Sequence, residues 1–154
     1  MLDLRWVLVV LVFSALSMAQ QKETSMIQHA RGNFTVTIHP LTPAPAEGIS
    51  RFSIDKEIHG DLEATTKGEM FSAGDVKSGV AGYVAIEVVT GNLAGKHGSF
   101  ALQHSATMDH SGPKMTVIVV PGSGTGALKG ISGVFDIQIA NGQHSYDLEY
   151  KLPK

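Results

Sequence analysis

From Asn33 onward, apolar and polar residues alternate with a period of two, and the alternation returns in segment after segment with turn residues between. Phe34, Val36 and Ile38 alternate with Asn33, Thr35, Thr37 and His39, until Pro40, Pro43 and Pro45 break the pattern into a loop. Phe52, Ile54 and Ile58 then alternate with Arg51, Ser53, Asp55 and Glu57. Leu62, Ala64, Thr66, Gly68 and Met70 stand opposite Asp61, Glu63, Thr65, Lys67 and Glu69, before a loop over Gly74–Gly79. Successive side chains of a strand point to opposite faces, so each run predicts a strand with one wet and one buried face. Two runs, Tyr83–Val89 and Met115–Val120, are apolar on nearly both faces, which predicts strands covered on both sides. Between them, Phe100, Leu102, His104, Ala106 and Met108 alternate with Ser99, Ala101, Gln103, Ser105 and Thr107. Phe135, Ile137 and Ile139 lead into Asn141-Gly142, and Tyr146, Leu148, Tyr150 and Leu152 follow, a pattern that predicts a hairpin. No apolar stripe of helical period is long enough to predict a helix.

An internal repeat adds closure to this all-β reading. Gly91-Asn92-Leu93-Ala94-Gly95-Lys96-His97-Gly98-Ser99-Phe100 matches Gly126-Ala127-Leu128-Lys129-Gly130-Ile131-Ser132-Gly133-Val134-Phe135 at every glycine, at the leucine and at the phenylalanine. Gly60-Asp61-Leu62 echoes its opening. Glycines serve bends where φ is positive or backbones approach closely, so the repeat predicts a corner with an inward Leu and a Phe starting the returning strand. The expected fold is an all-β, closed antiparallel barrel of about eight strands. One barrel domain is expected over residues 27–154.

Residues 1–19 have a different character. Arg5 precedes an apolar run from Trp6 to Phe13, and the segment ends on Ser17-Met18-Ala19, the layout of a secretory signal peptide cleaved after Ala19. The expected product is secreted or periplasmic and not membrane-embedded, with a disordered polar segment over residues 20–26. The chain has no cysteine, so burial and backbone pairing must hold the fold without disulfides. Its formal charge is −2 and no Lys or Arg cluster occurs, which argues against nucleic acid as a partner.

Several separated segments, in the same order, resemble a bacterial family known as domain of unknown function 3224. They are Gly60-Asp61-Leu62, Gly68-Glu69-Met70, Gly82-Tyr83-Val84-Ala85-Ile86-Glu87, Gly98-Ser99-Phe100-Ala101-Leu102-Gln103-His104, Val119-Val120-Pro121-Gly122-Ser123-Gly124-Thr125-Gly126 and Gly142-Gln143-His144-Ser145-Tyr146. The resemblance spans roughly Ile27 to Leu152 and implies a barrel similar to that of allene oxide cyclase, within the calycin-like architectures. It implies no settled activity, since fold does not dictate function. The family is associated mostly with cytoplasmic chains, whereas this chain begins with an export signal.

The candidate site residues are Glu87, Tyr83, Gln103, His104 and Glu69. Glu87 interrupts the apolar run Val84–Val89 on the face of Tyr83, so it is either paired, protonated or ligand-facing, or else it lies on the solvent side. His104 shares a face with Phe100 and Leu102, as a satisfied core histidine or as a ligand contact, while its neighbour Gln103 points to the opposite face. Glu69 falls on the polar face of its strand. The seven histidines form neither a His-x-His nor a His-x-x-x-His pair, so no metal is expected. The Gly122–Gly126 loop resembles a phosphate nest but is expected to precede a strand, and Pro121 stands where a nucleophile elbow around Ser123 needs glycine. Asn33-Phe34-Thr35 fits a glycosylation pattern inside an expected strand. No cofactor is expected. Three functions stay open: a binding module for a small, largely apolar molecule in the barrel interior, an isomerase or cyclase like allene oxide cyclase, and a structural or interaction protein with a filled barrel core, for which a homo-oligomer is a candidate assembly.

Overall fold

A computed structural model describes residues 26–153. The expected signal peptide and all of the expected disordered segment except Met26 lie outside the described residues. Eight strands run in chain order: β1 (Gln28–Leu41), β2 (Ile49–Gly60), β3 (Leu62–Asp75), β4 (Val80–Leu93), β5 (Lys96–Asp109), β6 (Gly112–Val119), β7 (Ser132–Ala140) and β8 (Gln143–Lys151). Each pairs antiparallel with the next, and β8 pairs with β1, so the sheet closes into a barrel. Closure removes most of the unpaired edges that an open sheet would present. The fold is therefore the closed eight-stranded antiparallel barrel expected from the alternation.

The corner repeat has a common geometry. Gly95 and Gly130 both adopt left-handed backbone, at φ 82° and 80°, and Leu93, Leu128, Phe100 and Phe135 are all fully buried. The two copies nevertheless build different turns. Ala94-Gly95 is a two-residue hairpin between Leu93 and Lys96, with positive φ at both positions. Gly126–Leu128 is instead a single turn of 3-10 helix inside a long connection. A short helix thus follows the Gly122–Gly126 loop where a strand was expected, because the chain must first place Leu128 and Ile131 into the barrel end. That connection also extends the β5 ladder after β6 has ended. Val120 N–H donates to Ala101 O, Ala101 N–H to Ser123 Oγ, and Thr125 N–H to Ser99 O.

At the Asn141-Gly142 hairpin both central residues have positive φ, 53° and 76°, as expected. β1 continues through Pro40 to Leu41, further than the proline suggested. Pro40 lies beyond Phe34↔His144, the last pair with β8, where a missing N–H costs that side no ladder bond.

The two ends of the barrel differ. At the end holding the β2–β3 and β4–β5 turns, Leu62, Leu93, Phe100, Leu128, Ile131, Leu148 and Tyr150 pack into a dense core. Toward the other end, inward positions carry small residues at Gly68, Ser72, Ala81, Ala85 and Ala106, so the interior stays open. The wall is also incomplete there. β6 and β7 pair at Ile118↔Val134 alone, leaving the facing edges of residues 112–117 and 135–140 without strand partners.

Strand β4 was expected to be covered on both sides, and it is covered on one. Val84, Ile86 and Val88 point outward and are 54%, 58% and 47% exposed, because a single closed barrel has no second layer to pack on them.

Candidate functional site

At mid-height of the barrel, four consecutive strands each contribute one polar side chain to the interior. Lys56 of β2, Thr66 of β3, Glu87 of β4 and His104 of β5 are all buried, and Glu87 has no exposed surface. The Glu87 carboxylate is fully engaged. Oε1 takes an ion pair from Lys56 Nζ and lies 2.8 Å from His104 Nε2, and Oε2 accepts the Thr66 hydroxyl at 2.7 Å. Thr66 Oγ1 in turn accepts the Lys56 backbone N–H at 3.0 Å. An ionised carboxylate can only accept, so His104 donates from Nε2. Lys56 Nζ also sits over the Phe34 ring, 5.2 Å from its centroid.

Burial pushes the Glu87 pKa up, but the His104 hydrogen bond and the Lys56 charge together outweigh it and hold the group at about 2. Glu87 is therefore an ionised, saturated carboxylate at neutral pH. Gly68 makes the arrangement possible. A Cβ there would fall 2.5 Å from Glu87 Cβ and 2.6 Å from its Cα, so only glycine lets β4 approach β3 at this point.

Tyr83 connects this network to a cavity. Its ring lies 6.5 Å from that of His104, its hydroxyl donates to Met115 Sδ at 3.2 Å, and it lines a space of about 750 Å³ at the open end. Phe52, Met70, Met108, Met115, Phe135 and Ile137 supply much of the wall. Val134, Asp136 and Thr116 line it too, although the alternation along β6 and β7 turns them outward. They do so because the cavity spills through the open seam between those strands. Burial keeps the Tyr83 phenol protonated, with its pKa raised first by desolvation and then by the Glu87 charge.

None of Lys56, Thr66, Glu87 and His104 lines the cavity. Of the five candidate residues, the structure thus brings together Glu87, His104 and Tyr83. It places Gln103 and Glu69 on the outer face, where they stand in register with Ile86 from either side. Glu69 there forms a bidentate pair with Arg51, at 2.8 and 2.7 Å, which lowers its pKa.

The family assignment follows from the matched span. Residues 30–150, nearly the whole barrel, match the family model described as Protein of unknown function (DUF3224). The chain belongs to the DUF3224 family. A solved structure from Shewanella oneidensis MR-1, described as a protein with unknown function from the same family, is similar to it at 39% identity. The match has a TM-score of 0.75 and covers 84% of this chain and 99% of that one. No curated protein matches.

Two members of the interior network in this DUF3224 barrel were absent from the sequence-level candidates. Lys56 occupies the apolar face of its strand, in phase with Phe52, Ile54 and Ile58, and Thr66 lies in phase with Leu62 and Met70. A charge in phase with a buried face was the available signal. It identifies Lys56 as the natural counter-ion for Glu87, because a buried charge persists only when paired.

Proposed function

We propose that this DUF3224 protein is an exported binding module that holds a small, largely apolar molecule in the cavity at the open end of its barrel. The cavity itself carries the reading. Its volume of about 750 Å³ falls within the usual span of small-molecule sites, and it is walled by aromatic and thioether side chains with few polar groups. The small inward residues that create it sit on β3, β4 and β5, and Tyr83 is its principal hydrogen-bonding group on β4. Export rests on the character of residues 1–19. An allene oxide cyclase-like architecture belongs to the same reading as a resemblance only, whereas the isomerase or cyclase alternative loses the carboxylate it was built on, since Lys56, Thr66 and His104 consume Glu87.

The neutral fluorophore N-phenyl-1-naphthylamine tests the binding reading. It brightens on binding to the native barrel, and an Ala106→Trp variant that fills the cavity weakens that binding by at least about tenfold. Equal binding to both proteins overturns the reading. A second reading, association between copies, draws on the exposed row Val84, Ile86 and Val88. Light scattering is expected to show a dimer that Ile86→Lys dissociates, and a native monomer removes it.

A further inference from the structure

The charge distribution around the cavity distinguishes the kinds of apolar molecule it accepts. Of all the residues that line it, Asp136 alone carries a charge. Asp136 is exposed on β7 at the rim of the β6–β7 seam, next to the buried Phe135 and the half-buried Ile137. Its partner directly across on β8 is a second carboxylate, Asp147. Asp147 is held by its neighbours Arg31 and His29, each 2.7 Å from one of its oxygens. Among the described residues Asp136 makes no ion pair, and Lys114, two residues along β6 from the lining Thr116, makes none with it either.

Like charges directly opposite each other on neighbouring strands are unfavourable, and because Arg31 is engaged by Asp147, the Asp136 carboxylate keeps no counter-ion of its own. The adjoining wall suits a cation as well. Tyr83 and Phe52 place aromatic rings on it, and Met70, Met108 and Met115 place polarizable sulfurs there. An elongated molecule seated along the seam would keep its apolar body against Phe135, Ile137 and Met115. Its polar end would then lie at the wet rim, beside Asp136.

We infer that the cavity selects amphiphilic cations, an alkyl or aryl amine in chemical class, over neutral or anionic molecules of the same apolar size, with Asp136 as the specificity-determining residue. This inference rests on the cavity reading above and adds the sign of the ligand's charge.

The test compares dodecylamine, dodecanol and dodecanoate at pH 7 and low salt, each displacing N-phenyl-1-naphthylamine from the intact protein. The amine is expected to bind about fivefold tighter than the alcohol, the scale of one partly exposed ion pair, and the carboxylate weakest. Asp136→Asn, an isosteric change at an exposed position, brings the amine to the level of the alcohol, and Asp136→Glu restores the preference. Higher salt narrows the gap, because the pair is exposed. Tighter binding of dodecanoate overturns the inference and points to Lys114. Equal binding of all three overturns it while leaving the cavity reading intact. Failure of all three and of the fluorophore removes both.

Discussion

Glu87 shows how one residue can be expensive and still specify a structure. A carboxylate without exposed surface is tolerated here because three donors from three neighbouring strands saturate it. Removing its charge leaves Lys56 buried and unpaired. Glu87→Gln is therefore expected to cost about 3–5 kcal/mol in urea unfolding, and Lys56→Met combined with Glu87→Gln recovers much of that loss. A Glu87→Gln protein as stable as the parent would show that the ion pair does not hold the interior together. Gly68 makes a separate contribution. Gly68→Ala drives a methyl group into the Glu87 backbone, at an expected cost of about 1–3 kcal/mol by the same measurement. Alternation alone put Glu87 on the face of Tyr83 and His104 on the face of Phe100 and Leu102, and both faces turn inward. It could not show that Glu87 lies beneath the cavity floor, because depth along the barrel depends on how neighbouring strands are staggered.

Strand β4 concentrates the contrast between the two faces. Val84, Ile86 and Val88 meet solvent, while Ala85, Glu87, Val89 and Leu93 are buried. Ile86→Thr is accordingly expected to change stability by less than about 0.5 kcal/mol in the monomer. Leu93→Ala, at the packed end of the same strand, is expected to cost about 2–5 kcal/mol. Comparable losses from the two would mean that a partner covers the outer row, or that the strand faces are exchanged. The run from Val84 to Val89 looked doubly covered because composition records hydrophobicity without recording what lies opposite. The Asn141-Gly142 turn needed no such information, since both residues favour the positive φ that a two-residue hairpin requires.

On the scale of the whole barrel, ionisation links the interior to acid stability. Glu87 is held at about 2 against an ordinary 4.5, so its folded form binds protons less readily than its unfolded form. Its stabilising contribution is complete above pH 4.5 and is lost as pH falls toward 2. The surface carboxylates Glu69 and Asp147 are lowered in the same direction by their Arg and His partners, with solvent screening their share. At the alkaline side, burial raises the Tyr83 and Tyr146 phenols above 10, so stability is lost as pH climbs through their folded values. Urea midpoints measured from pH 7 down to pH 2 should fall most steeply below 4.5, and Glu87→Gln should flatten that fall. An unchanged acid limb in the variant would assign the loss to the surface pairs.

The amino-acid sequence by itself determined the strand class, most turns, the corner repeat and the closed antiparallel architecture. These depend on local backbone preference and on a side-chain period of two, both written in neighbouring residues. Only the tertiary structure decided that Lys56, Thr66, Glu87 and His104 meet, that β6 and β7 part to open a cavity, and that Asp136 stands at its rim. Those outcomes depend on stagger between strands and on the sum of small and large side chains around a closed interior. Both are set by all eight strands together.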